Sequence, residues 1–210
     1  PVEVTRPSDQ SIITVATKQG VKKFAFRTDF VTVSTQDTIL AGPVIFIGYM
    51  DTRPDSMLTK GRLVMALAGR KQDSHDTTVP AVRRMQFLRQ FTGSLATLII
   101  ADDSGSGSIG GMATRYSSVL DKGLMRLPGA ETRGRFSFQS PYVITPRLAD
   151  EILAETGRSV SEMRRVAAQD TGFQTMLLNQ TTVKIESKIS REMKETENVL
   201  GLLEGSDPKL

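Results

Sequence analysis

The single histidine of the chain sits among carboxylates, in Asp73, His75 and Asp76. Two aspartates and a histidine can hold zinc, manganese or iron, and an aspartate can orient a histidine as a general base. Either role needs more ligands, or a nucleophile, from elsewhere in the chain. The surrounding 70–78 stretch is polar throughout, as a solvated loop is. A second candidate is Ser-Gly-Ser-Gly-Ser-Ile-Gly-Gly at 104–111, in which Gly105, Gly107 and Gly110 spell G-x-G-x-x-G. In a dinucleotide site such glycines let backbone N–H groups approach a pyrophosphate at a helix N-terminus. The apolar 95–101 before it reads as a strand and 112–122 as a helix. Against that, Asp102 and Asp103 put two negative charges beside the phosphates, and no βαβ alternation leads up to the loop. A mobile surface loop without cofactor is the stronger expectation.

Other chemistry is thinly represented. With no cysteine there is no disulfide, thiolate metal site or cysteine nucleophile. Neither a G-x-S-x-G elbow nor a Gly-Lys-Ser/Thr phosphate loop occurs. Asp102 and Asp103 have the oxygen ligands for magnesium or calcium, but adjacent acids before glycine are ordinary turn chemistry.

Charge carries more information. Residues 1–59 hold six cations and six anions, 60–147 thirteen and six, and 148–210 eight and eleven, so the segments carry 0, +7 and −3 within the net +4. Ten of the thirteen middle cations are arginine, whose guanidinium forks onto phosphate and whose clustering releases counterions from a nucleic acid. Candidate RNA or DNA contacts are therefore Arg83, Arg84, Arg89, Arg115, Arg126, Arg133 and Arg135. Few aromatics are interleaved with them, which argues for backbone contact over base stacking. Within this stretch Lys122-Gly123, Leu127-Pro128-Gly129 and Phe138-Gln139-Ser140-Pro141-Tyr142-Val143 loosely resemble the last strands of FtsK-type DNA-pumping ATPases. The likeness covers about a tenth of the chain and lacks those motors' phosphate-binding motif, so no activity is carried over.

The elements that must position these residues follow from periodicity. Residues 11–17, 21–34, 43–50, 61–68, 94–101 and 135–144 are rich in Val, Ile, Thr and Phe and read as strands, with Gly20 in a turn and 1–10 as a polar arm. Aromatics are 6% of the chain and Trp is absent, so aliphatic side chains must fill the core. Residues 80–91 open on a proline and space Val82, Met85, Leu88 and Phe91 as a helix does, leaving Arg83, Arg84 and Arg89 on the other side. Thr145 caps a helix at 146–156 that Gly157 ends, and Ser159 with Glu162 forms a capping box that starts another. Residues 173–203 read as one long helix, with a stripe of Met176, Leu177, Ile185, Ile189, Met193, Leu200 and Leu203.

The fold expected is α+β: a mainly antiparallel sheet or sandwich over about 10–145, one or two inserted helices, and a helical extension at 146–210. The function expected is a non-enzymatic assembly protein of the viral coat or nucleocapsid type. It self-associates through Ile185, Ile189, Met193 and Leu200 and contacts RNA or DNA. The alternative is a nucleotide- or metal-dependent enzyme using the 105–110 loop or Asp73, His75 and Asp76. No run approaches the roughly 20 apolar residues that cross a bilayer, and the polar start lacks a signal-peptide core, so a virion or cytoplasmic location without membrane contact is expected.

Overall fold

The apolar runs fold as strands, and eight of them join one sheet in a computed structural model that describes residues 1–49, 55–68, 91, 93–102, 105–127, 140–169 and 173–195. The strands are β1 (Val2–Pro7), β2 (Ile12–Thr17), β3 (Gly20–Ala25), β4 (Phe30–Val31), β5 (Thr38–Tyr49), β6 (Leu63–Leu67), β7 (Ala96–Ile100), β8 (Leu124–Arg126), β9 (Tyr142–Ile144), β10 (Met176–Ser187) and β11 (Ile189–Lys194). Between them lie α1 (Ser56–Thr59), α2 (Ile109–Arg115), α3 (Pro146–Leu153) and α4 (Val160–Gln169). The large sheet runs β3-β2-β10-β5-β6-β7-β9-β4, and β11-β1-β8 forms a small second sheet.

The large sheet is mixed, where a mainly antiparallel one was expected. β5, β6, β7 and β9 are mutually parallel, while β2, β3, β4 and β10 join antiparallel. Parallel neighbours need long crossovers, and the chain supplies them: the β7 to β9 connection carries α2. Parallel strands are covered on both faces. All of β6 is buried, with Leu63, Met65 and Leu67 in the main core and Val64 and Ala66 against Ile45, Ile47 and Phe91 on the other side. Leu148, Ile152 and Leu153 of α3 and Val160 and Met163 of α4 pack into the main core.

Those two helices start as the sequence dictates. The Thr145 hydroxyl accepts from Leu148 N–H at 3.3 Å, with Pro146 in the first turn. Ser159 and Glu162 exchange side-chain to backbone bonds at 3.3 and 3.2 Å. A 3-10 turn at Ala154–Thr156 then stops at Gly157.

Residues 173–203 are not one helix. In the described part they form β10, which lies between β2 and β5 in the large sheet, and β11, which pairs with β1. The burial of Leu178, Thr181, Val183, Ile185 and Ser187 follows a strand, with an irregularity between Leu178 and Thr182. The polar start is likewise no free arm: β1 is the middle strand of the small sheet. β1 with β2 runs beside β11 with β10 as one long ribbon. At its joint the Ser11 hydroxyl donates to Lys188 C=O and accepts from Lys188 N–H, at 3.2 and 2.9 Å. Gly123 makes the approach of β8 possible. Its φ is +79°, and a Cβ there would fall 2.8 Å from the Thr5 carbonyl oxygen.

The two outer strands of the large sheet, β3 and β4, are consecutive in the chain and meet through a bridge between Phe26 and Phe30. The sheet is thus nearly closed on itself. Asp29, 4% exposed, holds this seam. Its carboxylate accepts from Ala25 N–H at 2.9 Å and from the Arg147 guanidinium, and its carbonyl accepts from Thr145 N–H at 2.8 Å. Removing a buried acceptor of charged and backbone donors costs about 2–3 kcal/mol. Asp29→Ala is therefore expected to lower the urea midpoint by that free energy, while Thr28→Ala in the same turn, with an exposed side chain, changes stability by less than about 0.5 kcal/mol.

Candidate functional site

The residues singled out in the sequence separate in space. Asp73, His75, Asp76, Arg83, Arg84, Arg89, Arg133, Arg135 and Leu200 lie outside the described residues. Arg115 is exposed in the last turn of α2. Arg126 is half-buried in β8, where it donates to the Thr35 hydroxyl at 3.4 Å and pairs across the strand with Glu3. Ile185 is fully buried between Ile13 and Leu40, inside the core and away from any surface. Ile189 is half-buried and Met193 is 57% exposed, both on β11.

The glycine stretch follows β7 as a 3-10 turn, Gly105–Gly107, and then α2, capped by the Ser108 hydroxyl accepting from Gly111 N–H at 3.2 Å. Asp102 lies against this turn. Its carboxylate packs so closely on Gly107 that a Cβ there would displace it, and its N–H donates to Gly107 C=O at 3.2 Å. Arg164 fixes it from behind, donating to the carboxylate at 3.3 Å and to Ala101 C=O at 2.6 Å. This loop presents an anion. Among the described residues no group of three or more His, Asp or Glu side chains is placed to hold a metal.

A polar depression of about 460 Å³ lies where Arg6, Ser8, Asp9, Arg27, Asp121 and Ser190 converge. Its centre is Arg27, the one described non-glycine residue with positive φ, at 66°. The guanidinium donates to Asp9 at 3.0 Å, to Asp121 at 2.7 Å and to Leu120 C=O at 2.8 Å, tying its own turn to the Asp9 turn and to the helical turn at Ser118–Lys122. The Asp121 hydrogen bond leads the causes that hold its pKa above the usual arginine value. With its donors so engaged, Arg27 acts as a clasp.

The small sheet differs in kind. β11 and β8 are its edges, and Leu124, Met125 and Leu127 on or beside β8 and Met193 on β11 are exposed apolar side chains. Leu124 and Met125 face opposite sides of the strand, so the apolar exposure follows an edge. The other edge is anchored at one end by Asp37. Its carboxylate accepts from Ile189 N–H at 2.9 Å and from Arg191 at 3.0 Å. Nothing in the sequence marks Arg27, since a positive φ leaves no signature on arginine, whereas Leu124-Met125 and Leu127 beside Gly123 are a legible apolar cluster. Neither the protein-family models nor the curated proteins contain a match to this sequence.

Arg27 and Asp37 give separate tests. Glycine relieves the left-handed backbone at position 27 by about 1–2 kcal/mol relative to alanine, and both substitutions remove the clasp. Thermal unfolding should therefore rank wild type above Arg27→Gly and Arg27→Gly above Arg27→Ala; the reverse order for the two variants would show that the backbone is not strained. The Ile189 hydrogen bond, with Arg191 adding to it against a little desolvation, holds the Asp37 carboxyl below its ordinary 3.8. A carboxyl depressed in the folded state stabilises above the unfolded value, and that contribution is lost as pH falls through the folded one. Ile189 amide exchange, corrected for its intrinsic pH dependence, should accelerate below pH 3.8 in the wild type and show no such step in Asp37→Asn.

Proposed function

We propose that this protein is an interaction module that works by self-association, with the small sheet β11-β1-β8 as the contact surface. The observation that carries this reading is that, among the described residues, β8 and β11 have no further strand beside them and Leu124, Met125, Leu127 and Met193 are exposed. Strand edges offer unpaired backbone donors and acceptors to another chain. The assembly role expected from the sequence is retained here with Leu124, Met125 and Leu127 added: Met193 and half-buried Ile189 stay in it, while Ile185 belongs to the core.

Contact with an RNA or DNA backbone is a second reading. It is favoured by the thirteen cations against six anions of residues 60–147, and it fits a coat-like or nucleocapsid-type assembly. The two readings separate in one experiment. Sedimentation of the purified chain across a concentration series should show a reversible dimer or larger species without nucleic acid, and Met125→Lys with Leu127→Lys should leave the far-ultraviolet spectrum unchanged. A monomer up to about millimolar concentration, the weak end of specific association, would refute self-association. Assembly that occurs only with added RNA and weakens steeply with salt would favour the second reading.

A further inference from the structure

The edge strand β11 has a sequence that is complementary to itself. Residues 191–195 read Arg-Glu-Met-Lys-Glu, so charge alternates in opposite order on the two sides of Met193. All five are exposed. Among the described residues β11 has one neighbour in its sheet, β1. The direction of its free backbone groups follows from two contacts. Lys188 C=O accepts from Ser8 N–H on the β1 side at 2.8 Å, and Ile189 N–H points away from β1 to Asp37 at 2.9 Å. Since backbone groups alternate along a strand, Arg191 and Met193 also direct their N–H and C=O outward.

We infer that two copies of this chain join β11 to β11 antiparallel about a two-fold axis at Met193, making a continuous six-stranded sheet. This rests on the self-association proposed above and specifies its register. An axis perpendicular to a sheet sets one residue opposite its own copy. Only Met193 on the axis makes every flanking pair attractive: Arg191 faces Glu195 of the second copy, Glu192 faces Lys194, and each occurs twice. Moving the axis by one residue places Glu192 against Glu192, and by two places Arg191 against Arg191. Met193 directs its backbone outward, so it forms a hydrogen-bonded pair with its copy, and Arg191 with Glu195 continues the ladder.

Side-chain geometry agrees with this register. Directly opposed residues share a face. Met193 shares its face with Arg191, which lies 3.7 Å from Glu3 and 3.0 Å from Asp37. Glu192 and Lys194 share the other face, 3.6 Å apart within one chain. In the pair of strands that second face carries a square of two carboxylates and two ammonium groups with unlike charges adjacent. The Met193 side chains, 57% exposed in one chain, cover each other across the axis.

A single-cysteine series tests the register, because the chain has no cysteine of its own. In a hydrogen-bonded antiparallel pair the Cα atoms lie about 5.5 Å apart, within disulfide reach, while residues offset by two along the partner exceed about 7 Å. Under mild oxidation Met193→Cys should give a linked dimer and Lys194→Cys should not. Lys194→Glu sets like charges opposite each other twice and should weaken association about tenfold. Exchanging the pair, with Glu192→Lys and Lys194→Glu together, restores complementarity and should return the affinity to within about threefold of wild type.

A dimer that forms without linkage at Met193→Cys, or that the exchanged pair fails to restore, overturns this register and leaves self-association standing. A monomeric wild type removes both. A monomer whose Met193 amide exchanges slowly shows the edge covered from within its own chain, which also overturns the dimer.

Discussion

The structure depends on one turn of four residues. A sheet of eight strands has two edges that must be hidden or closed, and here the edge strands are joined directly by the turn from Phe26 to Asp29. Asp29 sits below the surface of that turn and gathers three donors: Ala25 at the end of β3, and Thr145 and Arg147 at the start of α3. Closure therefore sets the place of α3 as well as the distance between β3 and β4. Phe26 and Phe30, in edge-to-face contact at 5.6 Å, fill the space beneath it. Arg27 adds the outer half of the seam by reaching to Asp9 and Asp121. A carboxylate inside and a guanidinium outside secure the same turn.

The rest of the large sheet follows from how each strand is covered. The central parallel strands are apolar on both faces; among the described residues α3 and α4 pack on one face and Phe91 on the other. β2 alternates, with Ile13 and Val15 inward, while the edge strand β3 buries only Phe24 and exposes Lys22 and Lys23. β10 joins the two regimes. It is antiparallel to both β2 and β5, and its irregularity after Leu178 lies where Gln180 N–H donates to Glu155 at 2.9 Å and Arg62 donates to Asn179 at 3.3 Å.

What could be read from the sequence was mainly local. Helix starts at Thr145 and Ser159 depend on residues three positions apart, and both form as their types require. The strand-like runs around 12–17, 63–67 and 96–100 also form, because continuous Val, Ile and Leu fit buried strands. The segment after 173 misleads for a geometric reason. Ile185, Ile189 and Met193 are spaced by four, and four is close to one helical turn and equal to two strand repeats, so the stripe fits either structure. The nearer pairs Thr181, Val183 and Ile185 break the tie, since only a strand buries every second residue. Parallel pairing was not legible, because it depends on which distant run lies alongside. Of the candidate site, the apolar residues beside Gly123 and the polarity of 191–195 are visible in sequence. That they share one small sheet with β1 is a fact of pairing over more than a hundred residues.

The ribbon made by β1 and β11 has a mechanical consequence. Val2 and Lys194 are paired partners at the same end of an antiparallel ladder, so tension between them pulls the strands apart sideways instead of sliding them lengthwise. Such a ladder opens like a zipper, one rung after another, because its hydrogen bonds lie perpendicular to the strands. The rungs open from Val2 towards Pro7 and reach the Ser11 and Lys188 stitch before β2 and β10 are loaded. Pulled in this direction, the small sheet opens before the pairing of β2 with β10 behind the stitch is loaded.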